Sequence, residues 1–114
     1  MIIIYLTADL MFSSRVSSYA KEIGADLRVA ISGPQCINAI NQNKVDRVLV
    51  DLNVPKLDIE ELMTQIKATG QDLDVIAYGP HVQIELLEAA KAAGCDVVLS
   101  KGQFNQQIEA LVAG

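Results

Sequence analysis

What the chain is short of narrows its role first. Its uninterrupted apolar stretches run for only a few residues, far below the roughly 20 that a membrane-spanning helix needs. The start, Met1-Ile2-Ile3-Ile4, has neither the basic residues nor the small-residue cleavage site of a secretory signal. The chain therefore reads as soluble and cytoplasmic, with no membrane partner. Two cysteines, Cys36 and Cys95, are too few for a disulfide framework and stand in no ligand-like cluster. Both read as reduced, small packing residues. The nine basic residues are scattered and the net charge is −5, which argues against a nucleic-acid face. There is no Gly-x-Gly-x-x-Gly for a dinucleotide, no nucleophile elbow and no phosphate loop. Internal repeats, low-complexity tracts and linkers are absent too.

What is there is apolar and regularly punctuated. Fifty-one per cent of the 114 residues are hydrophobic, which excludes a disordered chain. The length suits one domain, 1–114, with the last helix running into the terminus and no room expected for an output domain. The organising stretch is Asp46–Pro55. Val48 to Val50 form a run suited to a strand buried on both faces, and it ends abruptly in a carboxylate, Asp51. In open α/β sheets, ligands bind at that carboxyl edge.

The remaining elements follow in order. Ile2 to Leu6 reads as a first strand, followed by Thr7-Ala8-Asp9, whose Thr and Asp can each cap a helix start. Leu10, Phe12 or Ser13, Val16, Ala20 and Ile23 recur at helical spacing, and Gly24 supplies the stop. Asp26 to Ile31 is a second strand. Ser32-Gly33-Pro34 opens a helix with Cys36, Ile37 and Ile40 on its apolar stripe, ending around Asn41 to Lys44. After Asp51, Asp58 and Glu61 form a capping box for a helix that turns Ile59, Leu62, Met63 and Ile66 inward and closes at Gly70. Leu73 to Tyr78 is the fourth strand. Gly79-Pro80-His81 is expected to start a helix with Ile84, Leu86, Leu87, Ala90 and Ala93 as inward or flanking residues, and Gly94 to end it. Val97 to Leu99 is a fifth strand ending at Ser100-Lys101, and a last helix runs from about Phe104 to Val112. Five strands alternating with five helices predict an α/β doubly wound parallel sheet.

Four strand ends then deliver Thr7, Asp51, Tyr78-Gly79 and Ser100-Lys101 to one edge. Asp51 and Lys101 are expected close enough for a direct or water-mediated contact, which would serve equally as a site or as an ordinary ion pair.

On these residues the chain resembles a response-regulator receiver domain over essentially its whole length. The matching features are the strand-end Asp51 in Asp51-Leu52-Asn53-Val54-Pro55, Asp58 at a helix start, Ala92-Ala93-Gly94-Cys95-Asp96, and Lys101 after the fifth strand. The resemblance implies a flavodoxin-like fold with strand order 2-1-3-4-5. It also implies Asp51 as phosphoacceptor equivalent, Lys101 as the family's lysine and the Asn53 carbonyl as a magnesium ligand. The departures are as informative. The family ends its first strand with a pair of acids that hold Mg²⁺; Leu6 and Thr7 stand there, and Asp9 follows two residues later as a helix cap. The family's switch hydroxyl after strand four aligns with Gly79, its strand-five aromatic with Val98 and its proline after the lysine with Gly102. No protein metal site is expected, and Mg²⁺ is expected to bind weakly near Asp51.

A narrower likeness is to divergent receiver-like proteins, carried by Asp9-Leu10-Met11-Phe12-Ser13-Ser14-Arg15 and Tyr78-Gly79-Pro80-His81-Val82. It draws attention to His81, the single histidine, which reads either as a surface residue closing a turn or as a site residue beside Asp51 and Lys101. The leading expectation is a stand-alone pseudo-receiver in two-component signal transduction. It would be a non-enzymatic module acting by protein–protein contact, with a histidine kinase or another signalling protein as partner. The resemblance places such contacts, a homodimer included, on helix four, strand five and helix five. The alternatives are a working phosphorelay receiver that uses Asp51, and a small α/β enzyme using His81 as base.

Overall fold

The computed structural model describes residues 1–113. Five parallel strands, β1 (Ile2–Leu6), β2 (Asp26–Ala30), β3 (Arg47–Asp51), β4 (Asp74–Gly79) and β5 (Val97–Ser100), lie in the order β2-β1-β3-β4-β5. This is the expected doubly wound sheet. Six helices connect and flank the strands: α1 (Leu10–Glu22), α2 (Gly33–Gln42), α3 (Ile59–Ala68), α4 (Ile84–Ala92), α5 (Lys101–Gln106) and α6 (Ile108–Ala113). No helix among the described residues is long and apolar enough to cross a membrane.

The alternation of side chains along each strand splits the core in two. Ile4, Leu6, Val48, Val50, Val75 and Ala77 face α2, α3 and α4, where Cys36, Ile40, Leu62, Met63, Ile66 and Ala90 meet them. Ile3, Tyr5, Leu49, Ile76 and Tyr78 face α1, α5 and α6, against Val16, Ala20, Phe104, Ile108, Leu111 and Val112. Arg47 fastens this second layer at its base: its guanidinium forks onto Asp74 at 3.0–3.1 Å and donates to the Leu111 carbonyl at 2.7 Å.

Helix boundaries follow the local capping chemistry. Asp9, Ser32 and Asp58 cap α1, α2 and α3, each accepting a backbone N–H three residues on. In α1 the buried stripe is Ser13, Val16 and Ala20, whereas Leu10 and Ile23, expected inside, are 78% and 53% exposed. Leu10 is the first residue of α1 and Ile23 its C-cap, and neither packs against either half of the core.

Two other expectations are corrected. The fourth helix starts at Ile84, not at Gly79-Pro80-His81, because the Pro80 carbonyl accepts the Gln83 N–H at 3.0 Å and closes a turn over these residues first. The last helix starts at Lys101, three residues early, and divides into α5 and α6. Ser100 and Gln103 form a reciprocal capping box that starts α5. The break follows at Gln107, whose N–H is shared between the Gln103 and Phe104 carbonyls.

Candidate functional site at the carboxyl edge of the sheet

The register fixes which residues stand together. Asp51 is level with Tyr78 on β4, and Leu49 with Tyr5 on β1. Side chains at Tyr5, Thr7, Asp51 and Tyr78 therefore share the face toward α1 and α5. Thr7 follows β1 and donates its hydroxyl to Asp51 Oδ2 at 2.8 Å, while the Asn53 N–H donates to Asp51 Oδ1 at 2.9 Å. Both oxygens of this 8%-exposed carboxylate thus have a donor. Leu6, by contrast, is fully buried among the core residues of the opposite face. Of the two positions expected to replace the acidic pair, only Thr7 reaches the site.

Asp9 supplies the second carboxylate. Its Oδ1 accepts the Phe12 N–H at 3.0 Å, and its Oδ2 lies 3.6 Å from Lys101 Nζ. Lys101 also sits 5.3 Å above the Phe12 ring. Of the expected direct or water-mediated contact between Asp51 and Lys101, the direct form is not made; the carboxylate that Lys101 pairs with is Asp9. That pair is half exposed, and such pairs contribute at most about 1 kcal/mol. Asp9, Asp51, Asn53, Tyr78, Pro80 and Lys101 nevertheless line one shared cavity of about 300 Å³.

Gly79 and His81 lie elsewhere. A Cβ on Gly79 would meet Leu87, Leu52 and Leu86 at 3.5–3.6 Å, on the sheet face opposite Asp51. The β4 residue level with Asp51 is Tyr78, so the hydroxyl on this side is a phenol. His81 is exposed in the turn before α4 and is not among the cavity's lining residues.

Beneath the cavity lies a feature that sequence reading passed over. The Tyr5 and Tyr78 hydroxyls are 2.6 Å apart and buried. Tyr78 stacks on Phe104 with ring centroids 3.9 Å apart, and Tyr5 and Phe12 pack against the same ring at 5.9 and 5.8 Å. The available signal was the period-two series Ile3, Tyr5, Thr7, which puts an aromatic hydroxyl directly below Thr7.

Burial raises Tyr5 from 10 to about 12 and Tyr78 further, and pushes the Cys36 thiol from 9 up to about 12. The fold therefore holds all three groups in their neutral forms. In the unfolded chain they ionise at ordinary values, so their stabilisation is complete below about pH 9 and is lost as pH rises through roughly 9–12. We expect the melting temperature to fall steeply across that window, with a shallower fall for Tyr78→Phe; circular dichroism melts at stepped pH would measure it. A flat profile would contradict the burial argument.

Residues 9–113 match the family of the response regulator receiver domain. The chain is a response-regulator receiver domain. It is 30% identical over 78 residues to the response regulator MprA of Mycobacterium sp. (strain KMS), a match covering 68% of this chain and 34% of that protein. The chain thus spans about a third of the length of the curated relatives it first matches. Among solved structures it is similar to the receiver domain of the sensor histidine kinase PA1611 from Pseudomonas aeruginosa, with TM-score 0.78, 17% identity and coverage of 99% and 98%. It is also similar to the Saccharomyces cerevisiae co-crystal of Ypd1 with the Ssk1 receiver domain, with TM-score 0.80, 16% identity and coverage of 99% and 89%. This receiver therefore belongs to two-component signalling, and receiver domains are generally signalling domains.

For the Mg²⁺ that the family implies, the donor set is the test. Mg²⁺ surrenders water reluctantly and is held through carboxylates. Of the two carboxylates on this receiver's cavity, Asp9 is committed to the α1 cap and Lys101, while the neighbour of Asp51 is a neutral hydroxyl. No cluster of three or more His, Cys, Asp or Glu forms among the described residues. This donor set does not fit a receiver-type magnesium site.

Proposed function

We propose that this receiver signals mainly by protein–protein contact, outside the standard Mg²⁺-dependent phosphoryl cycle, with a histidine kinase, a phosphotransfer protein or another signalling protein as partner. The observation that carries this reading is the disposition of the two acids. Asp51 keeps its place in the cavity, but its companion at the β1 edge is Thr7, and Asp9 is turned to Lys101. The two solved relatives support each half of the contrast. The Pseudomonas aeruginosa receiver carries a magnesium ion coordinated in its active-site cleft, whereas the Ssk1 receiver shows this fold bound to a histidine phosphotransfer protein.

The second reading, phosphorylation at Asp51, draws its support from the shared cavity of Asp51 and Lys101. The enzyme reading loses its geometric basis, because His81 lies outside that cavity.

Intact mass after incubation with Mg²⁺ and acetyl phosphate separates the first two readings. We expect an unmodified chain. A phosphoryl adduct that disappears in Asp51→Asn would establish the second reading and overturn the first.

A further inference from the structure

The outer edge of the sheet at β2 carries a self-complementary pattern, and we propose that it joins two copies of this chain as antiparallel strands about a two-fold axis at Leu27. Strand β2 hydrogen-bonds only to β1. The Asp26 N–H donates to the Met1 carbonyl at 3.4 Å, and the Ala30 carbonyl accepts from Thr7 at 2.9 Å. Parallel ladders use alternate residues, so Asp26, Arg28 and Ala30 turn their main chain inward and Leu27 and Val29 turn theirs to the open edge. Ile31 has the same parity as Leu27 and Val29, and its N–H is capped by Gln35 Oε1 at 3.1 Å. Among the described residues no side chain does this for Leu27 or Val29. Their donors face outward, ready for another strand.

Charge selects both the occupant and the register. Asp26 and Arg28 sit on one face of β2, with side chains 48% and 45% exposed. With the axis at Leu27, Asp26 of each copy stands opposite Arg28 of the other in the close, non-hydrogen-bonded positions, giving two opposite-charge pairs. On the other face Leu27 meets its symmetry mate and Val29, 45% exposed, lies beside Ala25 of the second copy. An axis at Arg28 would instead set the two guanidinium groups against each other. Within one chain Asp26 and Arg28 already bond at 3.0–3.1 Å, and Arg28 Nη1 also donates to Asn43 Oδ1 at 2.6 Å. A carboxylate accepts from about four sites and a guanidinium has five donors, so both retain capacity for a second partner. The opposite edge offers no such code: β5, Val97–Ser100, carries no charge.

The proposal is independent of the Asp51 question. Sedimentation equilibrium of the 114-residue chain should show a concentration-dependent monomer–dimer mixture. Asp26→Arg alone, or Arg28→Asp alone, sets like charges opposite at two places and should weaken dimerisation by about tenfold or more. An equimolar mixture of the two variants should recover it, because every facing pair is again of opposite sign. Val29→Pro removes an outward N–H, is tolerated on an open edge, and should abolish the dimer with the far-ultraviolet spectrum unchanged. If that variant misfolds, the mixing experiment still decides. A chain that stays monomeric up to about 1 mM would overturn the proposal. So would a mixture no tighter than its components, or a dimer insensitive to both charge changes but lost in Val97→Glu.

Discussion

Phe104→Ala should remove about 3–5 kcal/mol of unfolding free energy, the largest effect expected of any single truncation on the α1–α5–α6 face. Phe104 is fully buried, is stacked on Tyr78, and is the ring against which Tyr5 and Phe12 also pack. Aromatic truncation forfeits transfer free energy and leaves a cavity that neighbours refill only in part. Here the neighbours have little freedom, since the Tyr5 and Tyr78 hydroxyls hold each other at 2.6 Å and fix both rings. Domains of this kind are stable by only about 5–15 kcal/mol, so the variant loses between about a fifth and all of its stability. Urea denaturation would measure the loss, with Phe104→Leu expected to retain most of the stability. A loss below about 1 kcal/mol would show that α5 packs far more loosely than its contacts indicate. The effect should reach the cavity, because Phe104 lies on the short helix that begins with Lys101.

Thr7→Asp should destabilise the chain by about 2–4 kcal/mol without metal and make its stability depend on Mg²⁺, which that of the natural chain should not. Thr7 is 1% exposed and its hydroxyl donates a hydrogen bond to Asp51 Oδ2 at 2.8 Å. A carboxylate in its place removes the donor and sets two like charges in contact, so one must remain protonated or the pair must be neutralised by a cation. The variant also supplies the second anionic ligand that the cavity lacks. Mass action then returns stability as metal binds, by about 2.7 kcal/mol when Mg²⁺ exceeds its dissociation constant a hundredfold. Thermal unfolding with and without Mg²⁺, on the natural chain, Thr7→Asp and Thr7→Asn, would test this. The argument fails if the variant gains nothing from Mg²⁺, or if the natural chain gains as much.

Much of the architecture was legible because it rests on local periodicity. The strands at Ile2–Leu6, Asp26–Ala30 and Arg47–Asp51 and the caps at Asp9, Ser32 and Asp58 follow from apolar runs and short polar side chains that any reader of the chain can count. The errors fall where two local signals compete. Gly79-Pro80-His81 suits a helix start as well as a turn, and the carbonyl of Pro80 decided for the turn. At Ser100, the strand signal of Val97–Leu99 hid a capping box that begins α5 at once.

The doubly wound parallel sheet, the strand-end place of Asp51 and the lack of an acid at Thr7 can be read along the chain, because they depend on residue identity and on spacings of two and three to four; the motifs around Asp51, Asp58 and Lys101 carry the likeness to receivers. What each group at that edge touches is set by how the elements pack together. Lys101 pairs with Asp9 rather than Asp51, Tyr78 rather than Gly79 stands level with Asp51, and Tyr5 closes a hydroxyl pair 73 positions away in sequence. Such contacts depend on the register between strands and on the direction in which a helix leaves the sheet, and neither is written in the order of residues within one element.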